Sequence, residues 1–326
     1  MKKLVIGIDI GGTNTAFGLV DELGAVYGES RISTQRYPDV DEFQRELVLA
    51  LRQLIETVGC ECEIIGIGIG APNANTFHGT IENAPNLPWK GCVPFVEKLQ
   101  HYFPDSPIVM TNDAKAAAIG EKVYGAAKNM KDFIVITLGT GLGSGFVVNG
   151  ELALGYDSFA GELGHVIISH SEEQSTCGRE CGCGRRGCLE TYASATGIKR
   201  TIFKLLADRM EASEFRAISY DHLTAEMITQ ATLNGDPLAI EAFDYTGLQL
   251  GRALANTVLI TGPEAIFLLG GLAKAGKYIF EPTKRYMEMY MHANFRDKVQ
   301  LLPSGIESGN AAILGASALI WSRNTA

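Results

Sequence analysis

Closely spaced cysteines and one histidine form the first group of residues whose types could do chemistry. Four of the seven cysteines fall in one short window, and an imidazole precedes them; the residues are His165, Cys177, Cys181, Cys183 and Cys188. In a reducing compartment such a cluster is more often a metal site than a disulfide framework. Three thiolates and one imidazole complete a tetrahedral structural zinc site. The spacing therefore leaves one cysteine spare, either Cys177 or another.

The remaining cysteines stand apart from this window. They are Cys60, Cys62 and Cys92, and we assign them no role beyond packing. The same window is preceded by Gly161-Glu162-Leu163-Gly164-His165, which carries an acid and an imidazole three residues apart. This spacing puts both side chains on one face if the segment is helical.

Two glycine-rich turns could hold phosphate. They are Asp9-Ile10-Gly11-Gly12-Thr13 and Leu138-Gly139-Thr140-Gly141. Glycine lets backbone N–H groups approach an anion closely. One such turn is weak support, but two in equivalent positions, with the pair Gly270-Gly271 after a further strand, favour a nucleotide cleft.

Asp9 would repel a phosphate unless a cation lies between them. A Mg²⁺ ion, directly or through water, resolves that conflict. The alternative is an ordinary aspartate at a strand end that satisfies turn amides. The position of Asp9 alone favours neither.

Asn112 and Asp113 follow a short apolar strand at 107–111 and open an alanine-rich helix at 114–123. A lone aspartate there would be a helix cap worth about 1 kcal/mol. Beside a phosphate cleft, Asp113 could instead accept the proton of an alcohol during phosphoryl transfer from ATP. Asn112 could orient a sugar hydroxyl as donor and acceptor.

These residues need strands and helices to position them. Hydrophobic periodicity predicts the order strand, strand, strand, helix, strand over 4–10, 15–20, 25–34, 41–58 and 64–69. Later segments predict a helix at 237–260, a strand at 264–269, a helix at 278–292, a strand at 299–302 and a final helix.

The opening pattern restarts after 128 residues, because 134–141 resembles 6–13 and 137 − 9 = 128. A repeated unit of this size predicts two duplicated α/β halves that face one another across a ligand cleft. We place a small N-terminal domain at 1–120, completed by a C-terminal helix at about 306–326, and a larger domain with the zinc motif at 121–305.

Composition excludes several classes of protein. The 326 residues carry 28 Lys+Arg and 37 Asp+Glu, a net charge of −9, which argues against nucleic acid as a partner and favours small substrates. We interpret Arg179, Arg185 and Arg186 as solvated arginines. Asp9 interrupts the first apolar run, and 253–273 contains Asn256, Pro263 and Glu264, so we expect no export signal, no membrane span and a cytoplasmic location.

Taken together, the motifs resemble the ROK family of sugar kinases and sugar-responsive repressors, within the hexokinase/actin-like ATPase superfamily. The resemblance covers nearly the whole chain and implies two actin-like (ribonuclease H-like) ATPase domains that flank a cleft. The motifs that carry it are 9–13, 112–114, 138–141, 161–165 and 181–190.

The resemblance also implies roles for individual residues. Asp113 would be the catalytic base, and Asn112, Glu162, His165 and Glu190 would hold sugar hydroxyls, with Asn86 as a further contact from 83–89. The ATP site would comprise Asp9, Gly11, Gly12, Thr13, Gly139, Thr140, Gly141, Gly270 and Gly271. The zinc ligands would be His165, Cys181, Cys183 and Cys188, which leaves Cys177 outside. His165 would use one ring nitrogen for zinc and the other for the sugar.

Two positions depart from the family pattern near the expected sugar. Lys115 stands where the family usually has asparagine, and Asn73 stands where glycine is common. We expect a glucokinase-type enzyme that uses ATP, Mg²⁺ and a structural Zn²⁺ to phosphorylate the 6-hydroxyl of glucose or a related hexose. The alternatives are an N-acetylhexosamine kinase (N-acetylglucosamine or N-acetylmannosamine), a fructokinase, or a sugar-sensing protein without turnover.

Two further expectations concern assembly. A repressor would need a DNA-binding domain before the first phosphate turn, which here begins at Asp9, so we favour the enzyme. A homodimer is expected from the family resemblance only.

Overall fold

The computed structural model describes residues 1–59, 62–168, 178–306 and 309–324. Cys60 and Cys177 lie outside the described residues, and so do parts of the predicted C-terminal helix, at 307–308 and 325–326.

The chain alternates strands and helices. In chain order the strands are β1 (Lys2–Ile10), β2 (Asn14–Val20), β3 (Val26–Ser33), β4 (Cys62–Gly70), β5 (Ala74–Asn75), β6 (Thr80–Glu82), β7 (Cys92–Val93), β8 (Ile108–Thr111), β9 (Phe133–Leu138), β10 (Leu142–Val148), β11 (Glu151–Leu152), β12 (Ala265–Leu269) and β13 (Gln300–Pro303). The α-helices are α1 (Val40–Val58), α2 (Phe95–Gln100), α3 (Asp113–Val123), α4 (Ala195–Asp208), α5 (Ala225–Leu233), α6 (Pro237–Thr261), α7 (Lys277–Tyr290) and α8 (Ala311–Asn324).

Two sheets of the same topology form the cores of two lobes. In the first lobe the strand order is β3-β2-β1-β4-β8, and in the second it is β11-β10-β9-β12-β13. Each sheet begins with an antiparallel meander (β1, β2, β3 or β9, β10, β11) and continues with parallel strands. The repeat of 128 residues in the sequence thus corresponds to β1 with its turn and β9 with its turn.

Helix α1 shows how local sequence sets the elements. Asp39 caps its N-terminus by accepting from the amides of Asp41 and Glu42. Buried Phe43 lies on the face that packs on the first sheet. Gly59 ends the helix in the left-handed conformation, with φ 60°.

Helices α3 and α8 cross between the lobes. Helix α8 follows the last strand of the second sheet but lies on the first, where a Cβ added to Gly68 would meet the carbonyl oxygen of Ala316 at 1.8 Å. Helix α3 follows the last strand of the first sheet but packs on β10, where a Cβ on Gly143 would lie 2.8 Å from the Ala114 Cβ. Glycines in the strands therefore allow both helices to approach closely.

The predicted elements agree with the structure to within about two residues at most ends. The helix predicted at 278–292 begins at Lys277 and ends at Tyr290. The sheet β5-β6-β7 and helices α2, α4 and α5 were not among the predicted elements. The domain boundaries at 120 and 305 stay a prediction.

None of the helices in the described part of the chain is both long and apolar enough to span a bilayer.

Candidate active site

Asn112 and Asp113 lie at the junction of β8 and α3. Asn112 is the helix cap, since its side chain accepts from the amide of Ala114 at 2.9 Å. Asp113 is the first helical residue, and its Oδ1 also accepts from the amide of Ala114, at 2.8 Å. The cap function considered for Asp113 thus falls mainly to Asn112. Asp113 keeps some exposed surface. Desolvation by the surrounding protein raises the pKa of the Asp113 carboxyl, and hydrogen bonds from the amides of Ala114 and Asp113 oppose this rise.

Asp9 lies close to Asp113 at the end of β1. A Cβ added to Gly70, at the end of β4, would lie 3.5 Å from the Asp113 Cα and 3.7 Å from the Asp9 Oδ1. Burial, and then the charge of Asp113, raise the pKa of Asp9 to about 7. Within the described ranges the Asp9 carboxylate accepts no hydrogen bond, so it does not satisfy the turn amides. Carboxylate oxygens are ligands that a hard divalent cation such as Mg²⁺ takes, so two neighbouring acids whose charges interact fit such an ion.

Each of the two glycine turns is closed by a backbone hydrogen bond, and open space remains at Gly139. The first is closed by the amide of Gly11, which donates to the carbonyl oxygen of Asn14 at 3.0 Å, and the second by the amide of Gly139, which donates to Gly141 at 3.1 Å. A Cβ on Gly139 would meet nothing within 4 Å. Gly270 has φ 100°, and a Cβ there would lie 2.6 Å from the carbonyl oxygen of Leu138. The turn at Gly270-Gly271 therefore lies beside the end of β9.

Asn86 lies against the first glycine turn. A Cβ on Gly12 would be 2.7 Å from the carbonyl oxygen of Asn86 and 3.2 Å from its Cβ. Asn86 is exposed, whereas Trp89 is buried against Phe43 and donates from Nε1 to the carbonyl of Tyr37 at 3.1 Å. The loop at 83–89 therefore packs through Trp89 and leaves the Asn86 side chain accessible to a ligand.

Glu162 and Glu190 approach the cleft from the second lobe. Each lies at a single 3₁₀ turn, Leu163–His165 or Leu189–Thr191, rather than on a longer helix. A Cβ on Gly141 would lie 2.7 Å from the Glu190 Oε2. Burial raises the pKa of Glu162, Lys115 and His165 oppose this rise, and the charges of Asp113 and Glu190 add to it. Acids from both lobes therefore share one electrostatic environment.

The proposed zinc ligands converge. The ligand atoms of His165, Cys181, Cys183 and Cys188 all lie within 4.8 Å of one another. The His165 Nδ1 is 3.7 Å from the Cys181 Sγ, and the sulfurs of Cys183 and Cys188 are 3.7 Å apart. Zn–S bonds of about 2.3 Å at tetrahedral angles put neighbouring sulfurs about 3.8 Å apart. The donor set and its spacing fit a structural zinc ion.

The cluster also touches the cleft. The Glu190 Oε1 lies 2.9 Å from the Cys181 Sγ and 3.7 Å from the His165 Nδ1. Because Nδ1 is the ring nitrogen that faces the thiols, Nε2 is left for another partner. The contacts of Glu190 with Cys181 and His165 thus connect the cysteine cluster to the acid that lies beside Gly141.

Arg179 is not the solvated arginine that the sequence suggested. Its guanidinium donates to the carbonyls of Thr191 and Gly197 and to the Thr201 hydroxyl, and it lies 4.6 Å from the ring centroid of Tyr192. Arg185 and Arg186 are exposed. Arg179 therefore fastens the cysteine loop to the start of α4. Its hydrogen-bond partners lie 12 to 22 residues away along the chain, so no local sequence pattern indicated these contacts.

Two duplicated α/β lobes around an acidic, glycine-lined cleft define a two-domain protein of the actin-like class. The chain belongs to the ROK family, whose profile matches residues 5–323. The family resemblance and the fold class expected from the motifs are both confirmed.

Known relatives include enzymes and regulators. A glucokinase of Halalkalibacterium halodurans is 32% identical over 97% of this chain and 94% of its own. A crystal structure of a ROK family glucokinase from Streptomyces griseus, in complex with glucose and AMPPNP, is 30% identical with a TM-score of 0.78 and covers 97% of this chain and 98% of that one. A putative xylose repressor of a Caldicellulosiruptor species is 27% identical over 98% of this chain and 78% of its own.

Proposed function

We propose that this protein is an ATP-dependent sugar kinase that transfers the γ-phosphoryl group to the 6-hydroxyl of glucose or a related hexose. The observation that carries the proposal is the meeting of Asp9 and Asp113 from the first lobe with Glu162 and Glu190 from the second, between glycine turns of both lobes. Similarity over nearly the full chain to a glucokinase that was crystallised with glucose and AMPPNP supports it.

In this proposal Asp113 is the general base. Its carboxylate accepts the proton of the 6-hydroxyl while the sugar oxygen forms a bond to the γ-phosphorus and the bond from that phosphorus to the bridging oxygen of ADP breaks. A raised pKa makes the Asp113 carboxylate a stronger base than an ordinary aspartate carboxylate. Asn112 uses Oδ1 as the helix cap, which leaves its NH₂ group to donate to the sugar.

The sugar would be held mainly from the second lobe. Glu162 and Glu190 accept from hydroxyl groups, His165 contributes Nε2, and exposed Asn86 closes the site from the first lobe. Carboxylates suit this task because each can accept two hydrogen bonds from neighbouring hydroxyls. Closure of the lobes would exclude water, which competes with the sugar as acceptor.

The nucleotide would lie along the glycine turns, with Gly11, Gly12 and Thr13 on one side, and with Gly139, Thr140, Gly141, Gly270 and Gly271 on the other. Asp9 would hold a Mg²⁺ ion, which supplies charge neutralisation for the phosphates. Zinc held by His165, Cys181, Cys183 and Cys188 would fix the tautomer and orientation of the histidine ring.

The sugar is tested by a coupled ADP-release assay with ATP and a panel of glucose, N-acetylglucosamine, N-acetylmannosamine, mannose and fructose. We expect the highest kcat/KM for glucose. A clear preference for an N-acetylhexosamine or for fructose would replace glucose but keep the kinase. Mass spectrometry of the product, with phosphate on the 6-oxygen, tests the position of transfer.

A sugar-sensing protein without turnover is the second candidate, because a repressor is also similar to nearly the whole chain. Such a protein would bind sugar without releasing ADP. Calorimetry with each sugar, run beside the ADP-release assay, separates the two: binding with no turnover for any sugar would contradict the kinase.

A further inference from the structure

Lys115 is a buried cation that the proposed reaction leaves unused. It lies on α3, two residues after Asp113, and its side chain is 1% exposed. Lysine is seldom fully buried unless its charge is compensated. The Nζ atom donates to the carbonyl oxygen of Ser158 at 2.5 Å, and among the described residues this is its hydrogen-bond acceptor. Burial lowers the pKa of Lys115, and the negative charge of Glu162 opposes this fall.

Ser158 has a strained backbone conformation. It is fully buried, and its φ of 64° puts a residue other than glycine in the left-handed region. Four residues later the same loop delivers Glu162 to the cleft. The hydrogen bond from the Lys115 ammonium group to the Ser158 carbonyl therefore fixes the loop that carries Glu162.

The bonds continue from Ser158 into the first lobe. The Ser158 Oγ accepts from the amide of Thr76 at 2.8 Å, and the Thr76 hydroxyl donates to the Thr111 Oγ1 at 2.9 Å. Thr111 is the residue before Asn112. Lys115, Ser158, Thr76 and Thr111 thus form one hydrogen-bonded chain, which we call the cleft link, between the segment that bears Asp113 and the loop that bears Glu162.

We propose that Lys115 is a positioning residue that, through the cleft link, holds Glu162 at the distance from Asp113 that the sugar requires. The inference rests on the proposed function. The departure at this position from the asparagine usual in the family then has a physical meaning, because an asparagine side chain is too short to span the distance that the lysine spans to Ser158.

The test is Lys115→Met, which keeps most of the length of the unbranched side chain and removes its charge and donors. With glucose and ATP as probes, we expect the KM for glucose to rise about 10- to 100-fold, because a small misplacement of a binding group has effects of this size. The KM for ATP should change by less than about twofold. The variant loses binding energy for the sugar in both the ground state and the transition state, and the nucleotide contacts are unchanged. Lys115→Gln, which keeps a donor, should lie between the two proteins.

The matched control is Lys122→Met. Lys122 lies on the same helix and also donates to a loop carbonyl, that of Gly150, but it is not part of the cleft link. It should leave both KM values unchanged. Thr76→Val, which breaks the bond to Thr111 and keeps the backbone bond to Ser158, should raise the KM for glucose less than Lys115→Met does.

Two results would contradict a positioning role for Lys115. A lower Tm of Lys115→Met with unchanged KM and Kd for glucose would assign Lys115 to packing alone, and an equal rise in both KM values would exclude a role specific to the sugar. If Lys115→Met does not fold, Lys115→Gln and Thr76→Val decide by the same criterion. If the wild-type protein turns over no sugar, the proposed function fails separately, and the Kd for glucose from calorimetry decides the role of Lys115.

Discussion

The turn after β1 and the turn after β9 are equivalent in the two lobes, but the residue that leads into the turn differs in its chemistry. Asp9 in the first lobe corresponds to Thr137 in the second, 128 residues later. The Thr137 Oγ1 accepts from the amide of Gly143 at 3.1 Å and so serves its own turn. Asp9 accepts no such bond among the described residues and faces Asp113. The same backbone therefore carries a structural hydroxyl in one lobe and a free acid in the other.

The crossing helices show the same contrast. Asn112 precedes α3 and Asn310 precedes α8, so both helices follow an asparagine. The next residue is Asp113 in the first case and Ala311 in the second. Duplication thus supplied two similar frames, and the acids that we propose for phosphoryl transfer occur in the first. In the proposed function the second lobe would contribute sugar and zinc ligands instead.

The largest effect is expected from Asp113→Asn, which turns the first lobe's helix start into a neutral one like that of the second. Loss of a general base should lower kcat by about 10²- to 10⁴-fold and leave the Kd for glucose within a few-fold of wild type. Steady-state kinetics and calorimetry measure the two quantities.

Asp39→Asn is the matched control for that variant. Asp39 also lies at a helix start, where its carboxylate only caps α1, and asparagine caps about as well as aspartate. It should keep wild-type kcat. Near-normal turnover of Asp113→Asn would contradict the assignment of the base.

The cysteine cluster of the second lobe is tested by Cys183→Ser. Wild-type protein should carry about one zinc per chain, and the variant should lose it and raise the KM for glucose by about 10- to 100-fold, because His165 and Glu190 lose their common support. Elemental analysis and kinetics give both values. Cys92→Ser, at an exposed cysteine of β7, should keep zinc and KM. Fully active protein without zinc would refute the metal site.

The free acid at Asp9 has a cost in stability that Thr137 does not have. Its pKa of about 7 lies above the ordinary value of 3.8, so the folded protein retains a proton that the unfolded chain has lost. Stability of the protein without nucleotide and Mg²⁺ should therefore fall as pH rises from about 4 to about 7.

Asp9→Asn should remove the part of this dependence that Asp9 contributes, while Asp113 and Glu162, whose pKa values are also raised, keep theirs. We expect it to raise the Tm at pH 8 by several degrees and to change the Tm at pH 5 less, as measured by scanning calorimetry without added Mg²⁺. Asp105→Asn, at an exposed turn, changes the net charge equally and serves as the control. An equal shift of Tm at both pH values would argue against a raised pKa at Asp9.

Local sequence predicted much of this frame, because buried strands bounded by glycines and the period of α1 depend on nearby residues. The 128-residue repeat predicted two lobes, because each copy of the motif has the local pattern of a strand followed by a glycine-rich turn. The cleft link could not be predicted from the sequence. Ser158 and Thr76 are 82 residues apart in the chain, and serine and threonine are too common in loops to indicate a contact. The cysteine that the spacing leaves spare was likewise open until the family resemblance selected Cys177, which lies outside the described residues.

The smallest effect concerns the crossing of α3 and α8, where a helix packed on the first sheet meets one packed mainly on the second. A Cβ on Gly120 would lie 2.8 Å from the Gly315 Cα, so Gly120→Ala forces the helices apart. Overpacking of this kind costs about 1–3 kcal/mol, from which the better helix propensity of alanine subtracts up to about 1 kcal/mol.

Urea denaturation measures this net loss, and Gly309→Ala is its control, because a Cβ there would meet nothing within 4 Å. The control should stay within about 0.5 kcal/mol of wild type. Because the crossing supports both lobes, Gly120→Ala should shift a single unfolding transition. Two separated transitions would instead mean that the lobes unfold independently and that the crossing helices do not couple them.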